Sequence, residues 1–211
     1  MLKKQLLVLA FSAATIFSTA AHAQSVLVNP TDDTLCLLYY HFAGQTPAFD
    51  QLAQNDPSVE NANEFDKPAA LAAQTQKLKS FYDSLASVKT VKINIDMSLG
   101  TYDSQQGEYD LSGFAGDEYL SYYCFNSIRL QLQFDNSDYA QSWTLTLDAA
   151  EAVLDKNGGG RDVVAISTIE LTGVNPGAPG DPLVLVGDVK KVDVIGEFNN
   201  VPLGHYTVAT Q

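Results

Sequence analysis

Apolar residues recur along this chain first at helical spacing and then, from about residue 90 onward, at strand spacing. Leu35, Leu38, Tyr39 and Phe42 stand at i, i+3, i+4 and i+7, which places them on one helix face. Thr31 precedes them as a cap, and Asp32 and Asp33 put negative charge in the first turn, where the helix dipole favours it. Gly44 supplies the stop. Thr46-Pro47 is expected to open a second short helix, and the polar segment 54–64 reads as a loop. Asp66 is expected to cap the longest helix. Its stripe of Leu71, Leu78, Tyr82 and Leu85 is expected to pack on the chain's own sheet.

The clearest strand follows. Val91, Ile93, Ile95, Met97 and Leu99 alternate with Thr90, Lys92, Asn94, Asp96 and Ser98, giving one apolar and one wet face. Residues 100–107 form a turn region, and 108–111 run back from it. Ile128, Leu130, Leu132 and Phe134 point inward, with Arg129, Gln131 and Gln133 outward, and residues 135–138 turn. Trp143, Leu145 and Leu147 continue the alternation. Asp148 and Glu151 resemble a capping box for a helix that runs to Lys156 and stops at Asn157 and three glycines. The strand at 163–171 slips phase, so it is buried on both faces or bulged. A Pro/Gly loop at 175–182 leads to a Val-rich strand at 183–195, bent at Gly187, and an edge strand at 203–208. Helices first, then hairpin-like strands with one strand-helix-strand unit, predict an α+β fold: N-terminal helices on a mainly antiparallel sheet. A β-sandwich with a helical N-terminal appendage is the alternative.

The succession PAALAAQTQKLKSFYDSL, TVKINIDMSLGTYDSQQGEYDL, WTLTLDAAEAVL, VAISTIELTGV and LVLVGDVKKVDV resembles a family of small exported bacterial proteins with an uncharacterised domain. The resemblance covers roughly residues 45 to 196. It implies export and a domain over that stretch, and it brings no activity and no catalytic residue.

The N-terminus changes the picture independently. Lys3 and Lys4, an apolar run from Leu6 to Ile16, and small residues at Ala21 and Ala23 make a cleavable secretory signal over 1–23. The apolar run is shorter than the about 20 residues of a membrane span. The expected mature protein is a single soluble domain over 24–211, periplasmic or secreted, with no stable membrane insertion. The formal charge is −13, and removal of Lys3 and Lys4 takes it to −15. Such a surface repels nucleic acid. Cys36 and Cys124 are the chain's two cysteines, and an oxidising compartment predicts that they pair.

Candidate chemistry is sparse. His41 and His205 lie outside the signal, and no paired-His or C-x-x-C spacing occurs, so no metal and no cofactor are expected. No G-x-S-x-G elbow is present. Glycines 158–160 follow a helix instead of opening one, so they cradle no phosphate. Asp110, Asp117 and Glu118 bracket a Gly-containing loop beside Tyr109 and Tyr119. Paired carboxylates with aromatic neighbours are what glycoside hydrolysis needs. Tyr39, Tyr40 and Phe42 follow Cys36, and Tyr119, Tyr122, Tyr123 and Phe125 surround Cys124. Buried, these rings make a core around the cystine, the reading preferred; exposed, they can stack on a glycan or peptide. The leading expectation is a non-catalytic binding or structural accessory of the cell envelope, its partner an envelope protein or glycan. The alternative is a carboxylate-dependent hydrolase acting on envelope or extracellular polymers. Mass spectrometry of the exported protein is expected to find Gln24 at the N-terminus; a mature chain that keeps Met1 contradicts the signal and the charge argument together.

Overall fold

A computed structural model describes residues 26–114, 119–178 and 180–209. The signal expected at 1–23 lies outside the described residues. The fold is α+β. In chain order the elements are β1 (Val26–Val28), α1 (Asp32–Phe42), α2 (Phe49–Gln54), α3 (Pro57–Glu60), α4 (Lys67–Ser84), β2 (Thr90–Ser98), β3 (Glu108–Asp110), a 3-10 turn (Ser112–Phe114), β4 (Tyr119–Cys124), β5 (Ile128–Phe134), α5 (Ser137–Ala140), β6 (Ser142–Thr144), α6 (Leu147–Lys156), β7 (Asp162–Asn175), β8 (Leu183–Gly196) and β9 (Pro202–Thr207).

Seven strands form one mixed, mainly antiparallel sheet in the order β1-β2-β7-β8-β5-β4, with β9 also paired to β8. Register decides which side chains share a face. Ile93 lies opposite Ser167 and Ile95 opposite Ala165; Ser167 in turn lies opposite Val192 and Ala165 opposite Val194. These side chains are buried, and with Leu130, Leu132 and Phe134 of β5 they make the core face. Helix α1, the 3-10 turn and the second sheet cover that face. Helix α1 packs on β4, β7 and β8. A Cβ at Gly113 in the 3-10 turn would touch Met97 and Ile95, and one at Gly204 would meet the Trp143 ring, so the turn and β6 also lie there. The opposite face carries Asn94, Asp96 and Glu170 exposed, with Val164, Ile166 and Thr168 half-buried. No described helix packs on it.

Strands β2 and β5 match their expected alternation, β8 and β9 form at the expected positions, and α1 forms as expected. Thr31 caps α1, its hydroxyl accepting the Thr34 N–H, and Gly44 ends it at φ +63°. Other elements differ from expectation, each for a local reason. Helix α2 begins at Phe49, beyond Thr46-Pro47. The expected loop at 54–64 contains α3, because Asp56 accepts the Ser58 N–H at 2.8 Å and Pro57 fits the first helical position. Asp66 makes no capping bond; the Asn63 carboxamide accepts the N–H groups of Phe65 and Asp66 instead.

Helix α4 packs on α2 and α3; of its stripe, Leu71, Leu78 and Tyr82 are half-buried, and Leu85 at its C-terminal end is buried in the core. Helix α1 already occupies the core face, so α4 forms an outer layer. The His41 and Tyr82 rings stack 3.8 Å apart to join α1 to it. His41 Nε2 also lies 2.5 Å from the Tyr82 carbonyl oxygen, so His41 is a packing residue.

Further along, Leu147 opens α6 and Thr146 caps it through the Ala149 N–H, two residues before the expected Asp148. The strand-helix-strand unit β6–α6–β7 therefore spans two sheets, since β6 pairs with β3 in a separate two-stranded sheet. The β-sandwich alternative is not the fold. Strand β7 alternates cleanly, with bulges against β8 after Thr168 and Leu171. Asn136, expected in a turn, is buried and bonds Val189 in both directions at 2.8 and 2.9 Å, clamping β8 beside the first bulge. Strand β1 was not expected from the sequence.

Ile95 is buried on the core face, whereas the Asn94 side chain points to water. Replacing Ile95 by Ala is expected to destabilise by roughly 2–4 kcal/mol in a denaturant titration, with Asn94→Ala close to neutral. Equal losses at the two positions would contradict the register.

Candidate functional site

The β4–β5 hairpin forms one end of the sheet, and α1 fixes it there. Cys36 and Cys124 form a disulfide with Cα atoms 6.3 Å apart, linking positions 88 residues apart in sequence. One helical turn earlier, the Asp32 carboxylate accepts the Tyr123 N–H at 3.0 Å and the Asp33 carboxylate accepts the Phe125 N–H at 2.6 Å. Strand β4 is an edge, and these two N–H groups would otherwise be open pairing sites. The hairpin turns at Phe125 and Asn126, both left-handed, with φ +48° and +61°. Three residues, 125–127, connect the strands, and a bulky residue at positive φ such as Phe125 is strained. The neighbours hold it: Asn55 donates to the Phe125 carbonyl at 2.8 Å, and Asn126 donates to the Asn55 carbonyl at 3.3 Å.

With β4 held this way, its alternation divides the aromatic cluster. Leu120, Tyr122 and Cys124 turn toward α1, and Tyr119, Ser121 and Tyr123 turn to the uncovered face. Burial pushes the Tyr122 hydroxyl up to about 12, with a smaller contribution from the Asp32 charge. On the outer face Tyr119 is 46 % and Tyr123 65 % exposed. Register sets Tyr119 opposite Gln133, Ser121 opposite Gln131 and Tyr123 opposite Arg129. Two rings on one strand thus lie beside two carboxamides and a guanidinium on the next. A shallow groove of about 170 Å³ runs along Tyr119, Ser121, Tyr123, Arg129 and Gln131, with Pro182 at its wall. The buried-cystine-core reading therefore holds for Tyr39 and Tyr122 and not for Tyr119 and Tyr123.

Of the carboxylates expected to carry chemistry, Asp110 is the one within the described residues. Asp110 lies exposed on β3 in the small sheet, and Asp117 and Glu118 lie outside the described residues. Tyr109 is not available for stacking on a sugar; it is buried and donates its hydroxyl to the Ala150 carbonyl at 3.1 Å. A different cleft, of about 170 Å³, has Asp33 and Asp56 among its lining residues. Both act as acceptors for backbone N–H groups. Hydrogen bonds from the Ser58 hydroxyl and N–H hold the Asp56 carboxyl below its ordinary range, opposite to what a general acid needs. Among the described residues no three His, Cys, Asp or Glu side chains converge on a metal position. His205 is exposed on β9. Arg129, Gln131 and Gln133 were legible as the outward face of a strand, but nothing in the sequence showed which strand would lie beside them.

Comparison with protein-family models, with curated proteins and with solved structures finds no match.

Chain-entropy reasoning assigns a disulfide closing so long a loop roughly 4–5 kcal/mol. Cys36→Ser is expected to lower the thermal midpoint by several degrees. Reductant is expected to do the same to the wild type and nothing further to the variant. A wild-type midpoint indifferent to reductant would show that α1 is held by packing alone.

Proposed function

We propose that this chain is an exported, non-catalytic binding module, an accessory of the cell envelope, and that it recognises its partner with the uncovered sheet face at β4–β5. The observation that carries the reading is the pair of exposed tyrosines beside a polar row on a rigid strand pair. Tyrosine supplies a large, rigid contact surface with little entropy to lose on binding. The disulfide supports an oxidising compartment. No helix among the described residues is long and apolar enough to cross a membrane. The hydrolase reading draws no support from the cleft holding Asp33 and Asp56, since both carboxylates serve as backbone acceptors.

Sedimentation with insoluble envelope polysaccharide tests this. Wild type is expected in the pellet and the Tyr119→Ala, Tyr123→Ala double variant in the supernatant, with no new reducing ends in either. Reducing ends released by wild type and lost in Asp110→Asn would overturn the proposal in favour of a hydrolase.

A further inference from the structure

Resting on that reading of the face, we infer that the β4–β5 groove takes an acidic sugar: ring faces on Tyr119 and Tyr123, and a single carboxylate on Arg129. The chain has two arginines, and the other, Arg161, is committed to the backbone carbonyls of Leu99 and Gly100. Arg129 differs. Its guanidinium makes one long contact, to the Gly180 carbonyl at 3.5 Å. Every ion pair among the described residues is made by Lys190 or Lys191. In a protein with 25 acidic residues against 12 basic ones, an arginine that meets no described carboxylate is an open fork. Guanidinium matches a carboxylate in bidentate geometry, which an ammonium group does not.

The rest of the groove fits a saccharide and disfavours the competing ligands. Tyr119 and Tyr123 are four residues apart on one face of β4, roughly 13 Å at strand rise, room for a short oligosaccharide to lie across both rings. Ser121 and Gln131 stand between them, offering donors and acceptors to hydroxyl groups. A peptide would bind by adding a strand to the β4 edge. Asp32 and Asp33 already occupy the N–H groups of Tyr123 and Phe125 there. A polyanion would meet the net negative field of the whole molecule, so the charge recognised is one carboxylate and not a row of them.

The test uses an aldotriouronic acid, a trisaccharide with one carboxylate, and the same trisaccharide with that carboxyl reduced to the alcohol. Affinities are measured by calorimetry for wild type, Arg129→Gln and Tyr123→Ala, after thermal melts show that each variant is folded. Wild type is expected to bind the acid. Reducing the carboxyl or replacing Arg129 is expected to weaken binding by about tenfold or more, as loss of a charge-assisted hydrogen bond does. The two changes together are expected to weaken it little further than either alone. Tyr123→Ala is expected to lose both ligands. Equal affinity for acid and alcohol, unchanged in Arg129→Gln, would overturn the acidic-sugar inference and leave the binding face standing if Tyr123→Ala still fails. Binding to neither trisaccharide, with wild type still pelleting on envelope polysaccharide, would overturn the inference alone. Failure in both assays would overturn the inference and the proposed function together.

Discussion

The covalent link between Cys36 and Cys124 is the constraint on which the β4–β5 end of the molecule depends. An edge strand has neighbours on one side only, and among the described strands β4 pairs with β5 alone. The disulfide ties it to a helix that is buried against the centre of the sheet. Leu35, Cys36, Leu37 and Leu38 are all fully buried, so α1 cannot move without opening the core. The adjoining carboxylates add direction to the covalent tie. Asp32 and Asp33 stabilise the start of α1 through its dipole and at the same time satisfy the two edge N–H groups nearest the turn. Blocking those groups also removes a pairing site that another chain could use.

Pinning one face of a strand settles what the other face does, because side chains alternate. Once Cys124 and Tyr122 face α1, Tyr123, Ser121 and Tyr119 must face away. The antiparallel register of β4 with β5 then carries Arg129, Gln131 and Gln133 onto the same side as the tyrosines. The strained turn at Phe125 and Asn126 belongs to this arrangement. Its positive φ values close the hairpin, while Asn55, Asp33 and the cystine hold it from three directions. The proposed recognition surface is thus a consequence of packing on the opposite side of the sheet.

Much of this was legible in the sequence where one periodicity dominated. Strand β2 alternates apolar and polar residues without exception, and Thr31 and Gly44 bracket α1. The disulfide followed from two cysteines and an oxidising destination. Strand β4 was harder, because YLSYYC places large aromatic residues on both faces and so hides its alternation. Strand β1 is three residues long, too short for a pattern. The partner of α4 was misjudged because an apolar stripe shows that something covers it, not what does. The ladder of Tyr123 with Arg129 could not be read at all, since long-range pairing places those two residues opposite each other and no local signal encodes it.

Hydrogen exchange of the oxidised and reduced protein, compared amide by amide, tests most directly whether the α1–β4 link organises this end of the fold. Reduction is expected to expose the amides of Tyr123 and Phe125 and to loosen α1, while those of β2, β7 and β8 at the centre of the sheet keep their protection. Unchanged protection at Tyr123 and Phe125 after reduction, or a loss spread evenly over every strand, would contradict the account.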